Sequence, residues 1–179
     1  MAEKNARPLP PVERLQELLF DAARLGREDL VLPLVSAGAD VEAPDPKGHT
    51  ALILASYHGF LPATQAILAS GAYVDSGDGT RGNTALMGVM FKGYRDIALC
   101  LLHAGADVNR RNKAGQTALM MAALFGRVDM AEDLLSRGAD VSLQDVAGNS
   151  AGSLAREQGN DLMSQLLHAA APAVGVLDG

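Results

Sequence analysis

Apolar positions along the chain fall in short helical runs punctuated by glycine. Between Gly115 and Asp140 the sequence reads GQTALMMAALFGRVDMAEDLLSRGAD. Thr117 stands where a helix N-cap residue belongs, directly before the apolar run Ala118 to Leu124. A hydroxyl at that position can accept from an amide of the first turn that has no helical partner. Gly126 breaks the run. A second, amphipathic run covers Val128 to Leu135 and stops at Gly138. The pattern predicts two short helices joined by a tight turn, with a stop signal at each end.

The same unit recurs. GHTALILASYHG begins at Gly48, GNTALMGVMFKG at Gly82 and GNSAGSLAREQG at Gly148. The closing glycines Gly38, Gly71, Gly105 and Gly138 are spaced 33, 34 and 33 residues apart, a period that marks a repeat array. The pattern G-x-TAL-x-x-A-x-x-x-G, then a second helix, then LL-x-x-GADV, resembles the ankyrin repeat over about residues 12 to 170. The resemblance implies an all-α ankyrin-repeat solenoid of about five helix-turn-helix repeats joined by β-hairpin-like loops. It also implies a non-enzymatic module that binds another protein. In style the short TAL repeats look like small bacterial ankyrin proteins.

On this reading the repeats span about 12–44, 45–78, 79–111, 112–144 and 145–170, with a flexible arm over 1–11 and a flexible tail over 171–179. The first repeat lacks the TAL motif but carries Leu15, Leu18, Leu19 and Ala22 at helical spacing. The last has a polar first helix ending Arg156, Glu157, Gln158. Atypical sequence at both ends is expected of capping repeats, which meet water instead of a neighbour. Capped ends also predict a monomer. Pro33 falls inside the second helix of the first repeat, where it removes a hydrogen bond and predicts a kink or a late helix start. The turn Asp75 to Asn83 is one residue longer than its counterparts, and the extra residue is expected at the hairpin tip. The family's usual Pro after Thr is Ala51, Ala85, Ala118 and Ala151 here, and its usual His is Ile53, Met87, Met120 and Ser153. The resemblance implies that losing this His loosens the stack unless apolar packing compensates.

Composition narrows the function classes. The 179 residues are 48% hydrophobic and 20% charged, a balance that suits a folded unit with one continuous core. The net charge of −6 disfavours nonspecific attraction to nucleic acid or anionic membranes. The single cysteine, Cys100, forms no intrachain disulfide and reads as a buried, inert thiol among Ile97, Ala98, Leu101 and Leu102. The first residues lack a signal-peptide core, and no apolar run approaches about 18 residues. A cytoplasmic location is expected, or a periplasmic one if a leader has been removed.

Candidate chemistry is sparse. Gly77 to Gly82 matches G-x-G-x-x-G, but it lies between two helices instead of after a strand, so turn glycines explain it. Asp75 and Asp78 lack calcium-loop spacing, with Leu86 where a bidentate Glu belongs. His49, His58, His103 and His168 lack metal-ligand spacing. No catalytic residues, metal or cofactor are expected.

The resemblance places partner binding on the concave face, made of hairpin tips and the exposed ends of the first helices. Carried over residue by residue, the helix ends are Arg24 and Leu25, Tyr57 and His58, Phe91 and Lys92, Leu124 and Phe125, then Glu157 and Gln158. The tips add Lys47, His49, Arg81, Asn83, Lys113 and Gln116. Tyr57, Phe91 and Phe125 read as corresponding positions of three successive repeats, forming an aromatic stripe flanked by Lys92 and Arg24. Aromatic and Arg anchors dominate interface energetics. The competing reading buries these rings as core. The resemblance to small bacterial ankyrin proteins also implies an alternative from another class: an accessory protein for a haem enzyme such as catalase in oxidative-stress defence. Tyr57 and His58 are its candidate iron ligands, because both residue types ligate haem iron.

Overall fold

A computed structural model describes residues 9–171. The arm and tail expected at the two ends lie largely outside them. The described residues form ten helices: α1 (Val12–Leu25), α2 (Glu28–Ser36), α3 (Ala51–Tyr57), α4 (Leu61–Ala69), α5 (Ala85–Lys92), α6 (Arg95–His103), α7 (Ala118–Leu124), α8 (Val128–Leu135), α9 (Ala151–Glu157) and α10 (Asp161–Ala170). Odd-numbered helices pack on one another in chain order, as do even-numbered ones, and each odd helix packs on the even helix after it. The result is a two-layer stack of five helix pairs. The loops run as hairpins with a single β-bridge, Gln144 to Ser150, among the described residues.

The repeat period places equivalent side chains in one seam. Leu19, Leu52, Leu86 and Leu119 are buried in the first layer. Leu34, Ile67, Leu101, Leu134 and Leu167 form the matching row in the second. Each such side chain contributes about 1.5–3 kcal/mol when removed from water. Met87 and Met120, at the position where the family carries His, are both 2% exposed. Apolar packing therefore occupies that site, and Thr50, Thr84 and Thr117 still cap their helices by accepting from the amides of Ile53, Met87 and Met120.

Helix α2 starts at Glu28, in the register of the other second helices, so Pro33 does not delay it. Of the kink or late start that the sequence predicts, the late start does not occur. Pro33 lies on the exposed outer side of the terminal repeat, where water can satisfy the Asp29 carbonyl that the proline ring leaves without a donor.

Two hydrogen-bonded ladders join the repeats. In the first, Asp45, Asp78, Asn112 and Asp145 each fold back on the amides of their own hairpin. Adjacent hairpins are then tied by Gly79 N–H to Gly48 O at 2.8 Å, Lys113 N–H to Arg81 O at 2.9 Å and Val146 N–H to Ala114 O at 2.9 Å. The extra residue of the third turn lies between Asp78 and Gly82, at the tip. In the second ladder, Glu42, Asp75 and Asn109 accept from the amides of Tyr73, Asp107 and Asp140 in the next repeat, and Gln16 accepts from the Asp40 amide within the first repeat. The turn inside each of the first four repeats lies against the next one, with Phe60, Tyr94, Arg127 and Asn160 beside Gly26, Gly59, Gly93 and Gly126. Gly26 has φ 69°, and a Cβ there would stand 2.4 Å from the Phe60 ring. Left-handed backbone and a close neighbour both require glycine at this point.

Candidate functional site

The first helices end in a row of exposed rings. Tyr57, Phe91 and Phe125 are 39%, 42% and 37% exposed, so they are not core, in contrast to Met87 and Met120 one turn earlier. The rings nevertheless touch. Tyr57 stacks on Phe91 with centroids 6.2 Å apart and planes 9° apart, and Phe91 meets Phe125 edge-on at 4.8 Å. Such pairs add about 0.5–1.5 kcal/mol beyond their buried area. Lys92 Nζ lies 5.0 Å above the Tyr57 ring, within the range of a cation–π contact.

The correspondence of the three rings is looser than the sequence reading has it. Counted from the capping threonines Thr50, Thr84 and Thr117, Tyr57 and Phe91 share a position, and Leu124 occupies it in the next repeat. Phe125 is one residue further on, at the C-cap of α7. Leu124 is half-buried and packs against the core. The longer Phe125 side chain reaches back to Phe91 and completes the stripe.

Two adjoining grooves share Tyr57, Arg81, Asn83 and Gly88. One, of about 450 Å³, runs between the hairpins and the helix ends and also meets Arg24, Lys47, His49 and His58. The other, of about 310 Å³, follows the stripe past Phe91 and Phe125 to Met87 and Met121. Gly88 lines both grooves, and a Cβ added there would meet the Tyr57 ring at 3.6 Å, an ordinary contact. The structure thus brings most of the expected residues onto one surface. Lys47, Arg81, His58 and Lys92 are exposed there.

Others also support the fold. Arg24 donates to the Asp45 carboxylate at 2.6 Å. Lys113 Nζ donates to the carbonyls of Gly79 and Thr80 at 2.7 and 3.0 Å, clamping the longer hairpin from the next repeat. Asn83 Oδ1 accepts from Asn112 Nδ2 at 2.8 Å, and Gln116 shares that donor. His49 Nδ1 is buried 3.5 Å from Asp45 Oδ1 with no hydrogen-bond partner. Leu25, Glu157 and Gln158 are exposed at the two ends of the row, outside both grooves.

The groove carboxylates are inward structural groups. Burial alone raises the Asp78 carboxyl, but the Thr80 hydroxyl and the amides of Arg81, Asn83 and Thr80 outweigh it and hold it below the ordinary carboxylate value. Asp45 is lowered in the same way: burial opposes ionisation, and the His49 and Lys47 amides with Arg24 overcome it. Both therefore stay ionised at neutral pH with their oxygens already engaged. Their hairpin-organising role was readable in the Asp or Asn that precedes each tip glycine, a signal the sequence reading passed over.

Tyr57 and His58, the pair considered as iron ligands, meet edge-on with ring centroids 6.0 Å apart, and each also has a neighbour of its own. Tyr57 lies with Phe91 and Lys92, and His58 stacks on Phe60 at 6.5 Å. Among the described residues, no group of three or more His, Cys, Asp or Glu is placed to hold a metal ion. No helix of the described residues is long and apolar enough to cross a membrane. Cys100 is half-buried, and burial with the Asp96 charge pushes its thiol up, away from the reactive thiolate.

Comparison with known proteins agrees with this architecture. A family model described as "Ankyrin repeats (3 copies)" matches residues 19–112, and one described as "Ankyrin repeats (many copies)" matches residues 101–155. The chain is 35% identical over 112 residues to "Ankyrin repeat and SAM domain-containing protein 6" of Mus musculus, across 62% of this chain and 13% of that protein. It is 38% identical over 90 residues to "Putative ankyrin repeat-containing protein" of Treponema pallidum (strain Nichols), across 50% of this chain and 30% of the other. Each match therefore spans under a third of the relative's length. Ankyrin repeats are generally protein–protein interaction modules. By its period, its two-layer stack and its matched segments, the chain belongs to the ankyrin repeat family.

Proposed function

We propose that this chain is a non-enzymatic adaptor that binds a partner protein through the surface formed by Tyr57, Phe91, Phe125 and the adjoining hairpin tips. The observation that carries the reading is the stripe itself. Three large rings from three repeats stand over a third exposed and already packed on one another. The chain has only seven aromatic residues, so placing three in one exposed row concentrates its best anchors. Preset rings lose little side-chain freedom on binding.

The test compares wild type with Phe91→Glu and with a Tyr57/Phe91/Phe125 charge variant in pull-downs from extract of the source cell. Binding should vanish in both variants while their helical signal and melting temperature stay near wild type. Unfolding of Phe91→Glu would show that the ring serves the stability of the stack and remove the reading. An accessory role for a haem enzyme is the alternative, supported by Tyr57 and His58 lining one groove with Arg24 and Lys47. Hemin titration tests it: a saturable Soret change lost in Tyr57→Ala supports that role, and its absence ends it.

A further inference from the structure

The proposed binding surface is the cationic side of an anionic protein. The chain carries a net charge of −6, yet the two grooves contain no exposed carboxylate. Their only acids are Asp45 and Asp78, both buried and both consumed by hairpin amides. The charges that face outward there are Lys47 and Arg81, with Arg24 at the margin and Lys92 above the stripe. The excess acids lie elsewhere. Asp29, Asp96, Asp129, Glu132 and Asp133, for example, are on the second helices. Asp133 is paired there with Arg95 at 2.7 Å.

Resting on the adaptor reading above, we infer that the partner presents an acidic peptide segment carrying an aromatic or aliphatic side chain. The apolar residue would lie on the Tyr57–Phe91–Phe125 stripe, and the carboxylates would face Lys47 and Arg81 across the shared groove. Complementary charge of this kind steers encounter and rejects basic partners. A nucleic acid fits less well. The rings are closed on one another, so none offers an open slot for a base, and the overall field repels a polyanion. A segment that meets both grooves spans more than one repeat, because Arg81 and Tyr57 border each of them.

The probe is a displayed library of random peptides about 12 residues long, a length suited to groove recognition, selected on the immobilised full chain. Enriched peptides should be rich in Asp and Glu with at least one aromatic or aliphatic residue. A synthetic copy of the leading peptide, followed by fluorescence anisotropy, should bind at least about tenfold more weakly to Lys47→Glu/Arg81→Glu, and weaken similarly from about 50 to 300 mM salt as exposed charges are screened. Melting curves establish that the variants remain folded. Neutral or basic peptides that lose binding in Phe91→Glu would leave the face standing and overturn the acidic partner. Peptides that bind Phe91→Glu and Lys47→Glu/Arg81→Glu as well as wild type would overturn the face itself. Failure to enrich any peptide, or tighter binding of a single-stranded DNA oligonucleotide, would also overturn the inference.

Discussion

Replacing Asp75 by Asn should stabilise the array. Asp75 is 6% exposed and receives the Asp107 amide on both carboxylate oxygens, at 3.1 and 3.2 Å. Burial raises its carboxyl above the ordinary value. The Asp107 amide opposes this, the Asp107 charge adds to it, and Arg110 offsets part of it. The same position one repeat later is Asn109, whose Oδ1 accepts from the Asp140 amide at 2.8 Å while its Nδ2 donates to the Gly138 carbonyl at 3.1 Å. In Asp75→Asn the new amide keeps the bond from Asp107 and gains a donor toward Gly105, the counterpart of Gly138. One added hydrogen bond contributes about 1 kcal/mol, and removal of a confined charge acts in the same direction. For a chain of this size about 1 kcal/mol raises Tm by roughly 2–4 °C. The pH dependence carries a sign. A raised carboxyl means that the folded wild type binds its proton more tightly than the unfolded chain does. Wild-type stability therefore falls as pH rises through the raised value. The gap between variant and wild type should be full near neutrality and close in acid, below the ordinary carboxylate range. Thermal melts of both proteins across that range are the assay. A variant less stable than wild type at neutral pH, or a gap that does not change with pH, would refute the reasoning.

Other outcomes follow from the same contacts. Gly26→Ala forces a side chain into left-handed backbone against the Phe60 ring and should cost about 2 kcal/mol in a denaturant melt. Asp78→Ala strips acceptors from the amides of Thr80, Arg81, Gly82 and Asn83. It should cost about 2–3 kcal/mol at neutral pH, with the loss shrinking as acid protonates the wild-type carboxyl, whose folded value is the lower one. Cys100, pushed up by burial and Asp96, should react with a thiol reagent more slowly than free cysteine at mildly alkaline pH. Hydrogen exchange should be slowest in α5 to α8, since the terminal repeats are covered on one side only.

The repeat period made the fold legible. Gly38, Gly71, Gly105 and Gly138 set the register, and the capping threonines fixed the starts of α3, α5 and α7 to within a residue. Pro33 left a kink or a late start open because local sequence does not say which side of a helix meets water. The candidate surface was only partly readable. Its rings and hairpin cations could be placed by counting, but Phe125 counts to the wrong position and joins the stripe through the length of its side chain. The inter-repeat bonds of Asp75 and Asn109, and the clamp made by Lys113, depend on how hairpins approach one another. That approach appears only once the helices are stacked.

The most direct test of the central claim is retention of a protein from source-cell extract by wild type and by the Tyr57/Phe91/Phe125 charge variant, with matched melting curves. The account predicts at least one protein held by wild type and absent from the folded variant. Equal recovery by both would contradict it and move the binding site off this face.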